Sequence, residues 1–180
     1  MIDPITQYIL NEGYLLSDKT VSVNLKDFES GDKNKLIIIG LPGSGKTSLG
    51  EHLVKKYKIK HFVSDEGWPA TKKGLLSPHR TILESAGFIY MVHEPKWRKV
   101  VLSYPIILMG MSAIKAGIRA DRRDGTVLGT VKDWKNLHHF IRTNFKDFQG
   151  RYNKLRKDIL NIPNATIEEY KVPKFKTVYH

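Results

Sequence analysis

Lys35-Leu36-Ile37-Ile38-Ile39-Gly40-Leu41-Pro42-Gly43-Ser44-Gly45-Lys46-Thr47 is the stretch that decides how this chain folds. Its first part is a continuous apolar run, the pattern of a central parallel strand covered on both faces. Gly40 to Thr47 then fits G-x-x-x-x-G-K-[ST] at every fixed position. Beyond it, Leu49, Leu53 and Tyr57 recur at four-residue spacing, which predicts a helix from Lys46 to about Lys58. Strand, glycine-rich turn and helix follow one another without a gap.

That order has a chemical reading. A triphosphate carries several negative charges on small oxygens, and backbone N–H groups ring it only where the chain turns tightly with little side-chain bulk. Gly40, Gly43 and Gly45 are expected to supply this freedom through positive φ. A helix starting near Gly45 aims its unpaired N–H groups and its positive dipole end at the same place. The residues expected to hold the nucleotide are Gly40, Leu41, Pro42, Gly43, Ser44, Gly45, Lys46, Thr47 and Ser48. Lys46 would meet the β- and γ-phosphates, and the Thr47 hydroxyl would bind Mg²⁺, a cation that prefers hard oxygen ligands.

Composition narrows the rest. A chain of 180 residues with 41% hydrophobic and 27% charged residues suits one soluble domain. With no cysteine there is neither a disulfide nor a thiolate metal site. No apolar run approaches the roughly 18 residues of a spanning helix. Met1-Ile2-Asp3-Pro4 lacks the basic start and apolar core of a secretory signal, so an intracellular, cytoplasmic setting is expected. The net charge of +12 is unevenly placed. Residues 1–95 hold 12 Lys and Arg against 11 Asp and Glu, whereas residues 96–180 hold 18 against 7. Such a bias points to acidic partners, and DNA or RNA contact is among them.

Along the chain, residues 1–34 read as an N-terminal extension before a main domain of residues 35–180. The extension holds a short amphipathic helix with Ile5, Tyr8 and Ile9 and a strand-like alternation of Val21, Val23 and Leu25. His61 to Asp65 predicts a second core strand. A helix is expected from about Pro78 to Ala86, a strand over Phe88 to His93, a helix over Lys96 to Ser103, and a strand over Ile106 to Met111. A helix from about Ser112 carries Arg119, Arg122 and Arg123. Leu137, Ile141, Phe145, Phe148, Tyr152, Leu155 and Ile159 form a long helical stripe, and Ala165 to Tyr170 reads as a last strand. Alternation of strand and helix argues an α/β fold of three layers, with a parallel central sheet of about five strands.

The order of these landmarks resembles the P-loop nucleoside and nucleotide kinases, a group that includes adenylate, shikimate and polynucleotide kinases. The resemblance covers residues 35–170. It rests on the loop, on Asp65-Glu66 closing the second strand, on His93-Glu94 closing the third, and on Ile107 to Ser112 followed by Arg119-Ala120-Asp121-Arg122-Arg123. It implies ATP and Mg²⁺ as ligands, an arginine-bearing lid around residues 119–135, and transfer of the γ-phosphate. Lys46, Asp65, Arg119, Arg122 and Arg123 are then the expected catalytic residues. The third strand ends in His-Glu rather than a plain Asp, so the second acidic group of such a site is not obvious.

Each residue also has a plainer role. Three arginines at i, i+3 and i+4 share a helix face, suited to phosphate oxygens or to a solvated helix end. Asp65 suits a general base or a turn cap before Gly67-Trp68-Pro69. Trp68, Tyr90, Trp97 and Trp134 suit base stacking or core packing, with packing preferred. His138-His139 has no carboxylate at ligand spacing and reads as a polar face. Three acceptors remain open: a nucleoside or nucleotide, a nucleic-acid end or hydroxylated base, or none, with the fold a nucleotide-binding module of an assembly. No membrane partner is expected.

Overall fold

The computed structural model describes residues 19–41, 44–85, 87–110 and 146–175, the side chains of 146–149 excepted. In chain order the elements are β1 (Val21–Val23), α1 (Leu25–Glu29), β2 (Lys35–Ile39), α2 (Lys46–Tyr57), β3 (His61–Ser64), α3 (Trp68–Leu76), β4 (Thr81–Glu84), α4 (Phe88–Met91), α5 (Pro95–Leu102), β5 (Ile106–Leu108), α6 (Lys146–Leu160) and β6 (Ile167–Glu169).

The strands join in one six-stranded sheet of order β3-β4-β2-β5-β1-β6. β3, β4, β2 and β5 run parallel. β1 is antiparallel to both β5 and β6. The fold is α/β as expected, but the all-parallel sheet of about five strands is corrected to a mixed sheet of six. The reason lies in the connection between β1 and β2, whose only helix, α1, has five residues. A parallel return needs a full crossover element. With so short a link, β1 ends where β2 begins and runs the opposite way.

β2 is buried along its whole length, and its side chains alternate between two cores. Leu36 and Ile38 pack with Phe28 of α1 and with Leu49 and Leu53 of α2. Ile37 and Ile39 pack with Leu75, Phe88, Ile89, Trp97, Val101, Tyr152, Leu155 and Ile159 from α3 to α6. Helices thus cover both faces of the sheet, giving three layers.

One pair of expectations is reversed. The helix read over Pro78 to Ala86 is the strand β4, and the strand read over Phe88 to His93 is the short helix α4. Phe88, Ile89, Met91 and Val92 are the buried residues there, and their i, i+1, i+3, i+4 spacing is helical. Thr81-Ile82-Leu83-Glu84 is instead buried on both faces between β2 and β3. Two helices were not expected: α1 begins at Leu25, which the alternation placed on a strand, and α3 begins at Trp68, with Pro69 accommodated in its first turn where Gly67-Trp68-Pro69 read as a turn. The remaining described elements fall close to their expected places, including the last strand. The helix read near Ile5, the arginine helix and lid of residues 119–135, Trp134, Leu137, His138-His139, Ile141, Phe145 and the Phe148 side chain lie outside the described residues. Among the described residues no helix is long and apolar enough to cross a membrane.

Tyr152 ties α6 to the end of β5. Its buried hydroxyl donates to the Met109 carbonyl. Burial also raises the pKa of Tyr152, Tyr57 and Tyr170 above the usual phenol value. Unfolded tyrosines release their protons near pH 10 while these hold on, so their stabilisation is full below pH 10 and is lost as pH rises beyond it. Tyr152→Phe is therefore expected to cost about 1 kcal/mol at neutral pH. It should also flatten the loss of stability above pH 10. Urea melts from pH 7 to 11 measure both effects, and an alkaline slope equal to the wild type would refute the second.

Candidate nucleotide and phosphoryl-transfer site

The carboxyl ends of β2 and β4 are where the chain parts. After β2 it enters α2 on one face of the sheet, and after β4 it enters α4 and α5 on the other. Neighbouring strands whose helices leave in opposite directions open a crevice between their ends, the usual ligand position in an open α/β sheet. The glycine-rich loop borders this crevice from β2, and Glu84 borders it from β4.

Gly45 is the N-cap of α2 and has φ 93°, a left-handed conformation that favours glycine. Gly40 needs glycine for a different reason than the one expected. It is not among the glycines with positive φ. A Cβ there would instead lie 2.5 Å from Ser44 Oγ and 2.8 Å from Met109 Cβ. Pro42 and Gly43 lie outside the described residues. The Leu41 carbonyl accepts the Ser44 N–H at 3.0 Å and the Lys46 ammonium at 3.0 Å. Lys46 is thus folded back against the loop's own backbone and almost wholly buried. Ser44 Oγ is buried and has no hydrogen-bond partner among the described residues, where buried polar atoms are usually paired. Thr47 and Ser48 are exposed on the first turn of α2.

Glu84 is the residue that sequence reasoning missed. Its carboxylate is 1% exposed. Oε1 accepts the Thr47 hydroxyl at 2.7 Å and the Ser64 hydroxyl at 2.5 Å. No ion pair to Glu84 is present among the described residues. A buried carboxylate satisfied by neutral hydroxyls alone is costly, and a cation beside it would offset that cost. Two hard oxygens, from Thr47 and Glu84, suit Mg²⁺. The signal was Thr81-Ile82-Leu83-Glu84, two apolar residues and then an acid, too short to compete with the aromatic run after it.

Asp65 stands beside Glu84. Its N–H donates to the Glu84 carbonyl at 2.9 Å, and its Oδ1 accepts the Ser85 hydroxyl at 2.9 Å. Its φ is 46°, a left-handed position that aspartate tolerates better than most residues. The residue is exposed, and its described side-chain contact is this one within the turn. Glu66 is exposed with no contact to the loop. His93 and Glu94 do not close a strand. His93 contacts Arg151 of α6, and Glu94 is the N-cap residue of α5. The acid that meets the first turn of α2 is Glu84, not Glu94.

Of the aromatic residues, Trp97 is core, as preferred on sequence. Trp68 is 40% exposed at the start of α3, and the Lys72 ammonium lies 5.6 Å from its ring and 5.4 Å from that of Trp97. Tyr90 is half-buried under the Arg151 guanidinium, 4.7 Å from its ring centre. Arg119, Arg122 and Arg123 lie outside the described residues. No protein-family model, curated protein or solved structure matches the chain.

Two glycines test the loop's packing. Gly40→Ala places a methyl against Met109 Cβ, an atom fixed to the backbone, and is expected to cost about 1–3 kcal/mol. Gly150→Ala in α6 meets nothing within 4 Å. It is expected to stabilise by about 0.5–1 kcal/mol through helix propensity. Denaturant melts of both variants check the contrast, and equal effects would refute the close approach at Gly40.

Proposed function

We propose that the chain is a Mg²⁺-dependent phosphotransferase that moves the γ-phosphate of ATP to a nucleoside- or nucleotide-type acceptor. The observation that carries this reading is the Thr47–Glu84 contact of 2.7 Å at the mouth of the glycine-rich loop. It sets a buried carboxylate and a helix-start hydroxyl side by side where a triphosphate would bring its cation.

The residues divide the work as follows. The backbone from Gly40 to Gly45 and the first N–H groups of α2 receive the phosphates, with Ser44 Oγ as a further donor. Lys46 exchanges the Leu41 carbonyl for phosphate oxygens, a stronger charge-assisted partner. Thr47 and Glu84 would hold Mg²⁺, which when bound neutralises charge on the phosphates. Asp65, exposed beside Glu84, accepts the proton of an acceptor hydroxyl. Arg119, Arg122 and Arg123 are the proposed stabilisers of the transferring group. Little covalent chemistry is asked of the protein, since phosphoryl transfer is governed by charge and position.

A nucleic-acid acceptor is the second reading. The 18 cationic against 7 acidic residues over 96–180 favour it, because a free monophosphate needs only a few of them.

Transfer from γ-labelled ATP to nucleosides, nucleoside monophosphates and oligonucleotides tests both readings. At least one acceptor should take up label. Lys46→Ala and Glu84→Gln should each reduce that transfer by about 100-fold or more while the fold is kept. Glu84→Gln keeps the shape and a hydrogen-bonding oxygen but removes the charge, so full activity in this variant would refute the cation role. If ATP binds and no acceptor is labelled, the protein is a nucleotide-binding module and the transferase reading fails. Arg122→Ala is expected to lower kcat by a larger factor than it weakens ATP binding, as for a group acting on the transition state. An unchanged kcat would remove Arg122 from the reaction.

A further inference from the structure

A second concave feature lies on the other side of the sheet from α2. It is a groove of about 380 Å³ between α4, α5 and α6, lined by Ile89, Val92, His93, Arg98, Arg151, Lys154, Leu155 and Asp158. Ile89, Val92 and Leu155 close its base as part of the buried core of that face, so the accessible surface is that of the polar walls. Its walls are cationic. Among the described residues that line it, Arg98, Arg151 and Lys154 stand with one carboxylate, Asp158, which pairs with Arg98 at 2.9 Å.

The Arg151 guanidinium contacts the His93 ring. Arg151 also stacks on Tyr90, with 4.7 Å from the guanidinium carbon to the ring centre. This holds its planar fork at the groove rather than loose in solvent. Lys154 is exposed, with no hydrogen bond or ion pair among the described residues. The surplus extends past the groove. Over α5 and α6 together the sequence has eight Lys and Arg against two Asp. Lys96, Lys99 and Lys157 are exposed on these same helices.

We propose that this groove is a binding site for a single nucleic-acid strand, with phosphates on Arg151 and Lys154 and on the exposed cations that continue along α5 and α6. A small anion would be satisfied by two or three donors. A groove whose cations continue along both helices suits a repeating anion. Binding here goes beyond the ATP reading and does not require the glycine-rich loop to turn over nucleotide.

The test is fluorescence anisotropy of a labelled single-stranded oligonucleotide of about 20 nucleotides, titrated with full-length protein at several salt concentrations. Wild type should bind at low salt with a steep salt dependence. Arg151→Gln with Lys154→Gln should weaken binding about tenfold or more, and each lost phosphate contact should lower the salt slope by about 0.7. Lys154→Glu alone, a change at an exposed side chain that leaves the fold intact, should weaken it about fivefold by the same charge effect. Lys60→Glu, an equal charge reversal on the exposed link between α2 and β3, should leave it within about twofold.

Equal effects of Lys154→Glu and Lys60→Glu would overturn the groove, leaving only diffuse attraction. Displacement of the oligonucleotide by low-millimolar inorganic phosphate would overturn it in favour of a small-anion site. Binding to phosphatidylserine vesicles without binding to the oligonucleotide would overturn it in favour of a membrane surface. Lys46→Ala separates the two proposals. It should abolish phosphoryl transfer and leave oligonucleotide binding in place, whereas the groove variants should leave ATP binding in place.

Discussion

The burial of β2 on both faces is the constraint from which the rest follows. A strand with no solvent-facing side must be roofed by helices above and below, so the chain has to leave its two carboxyl-end neighbours in opposite directions. α2 takes one face and α4 with α5 the other. The gap between the ends of β2 and β4 is the consequence. Everything chemical at the sheet's carboxyl edge is arranged around it. The glycine-rich loop stands on one side, and Glu84 and Asp65 stand on the other.

Two polar groups stand out in that gap. Ser44 Oγ is buried with no hydrogen-bond partner among the described residues. Glu84 is a buried carboxylate whose described partners are the Thr47 and Ser64 hydroxyls. On the proposed reading, a Mg²⁺–triphosphate would bring an acceptor to the hydroxyl and a cation to the acid. Tyr152 and Met109 support this edge from behind. The Met109 side chain lies against Gly40 and Gly45, while its carbonyl accepts the Tyr152 hydroxyl, so α6 packs its weight behind the loop.

Much of this was legible before any coordinates. Lys35 to Tyr57 reads as strand, loop and helix because its apolar run, its glycines and its four-residue spacing each speak for the same answer. Tyr152, Leu155 and Ile159 were found from their period alone. The failures were local. β4 is four residues long and buried on both faces, so it has no alternation to read, and the aromatic, β-favouring run of Phe88 to His93 outweighed it. That single inversion hid Glu84 and made His93-Glu94 read as the end of a strand. The antiparallel entry of β1 was unreadable for another reason: strand direction depends on the length and path of a connection, which side-chain pattern does not record. The need for glycine at position 40 came from a neighbour distant in sequence, Met109, rather than from its own φ.

The central claim is that the loop recognises phosphate, with Mg²⁺ shared between Thr47 and Glu84. Calorimetric titration of the purified protein with ATP, with and without Mg²⁺ and in competition with ADP and adenosine, tests it most directly. The account predicts one site per chain, tighter with Mg²⁺, displaced by ADP and indifferent to adenosine. Absence of saturable ATP binding, or displacement by adenosine as readily as by ADP, would contradict it.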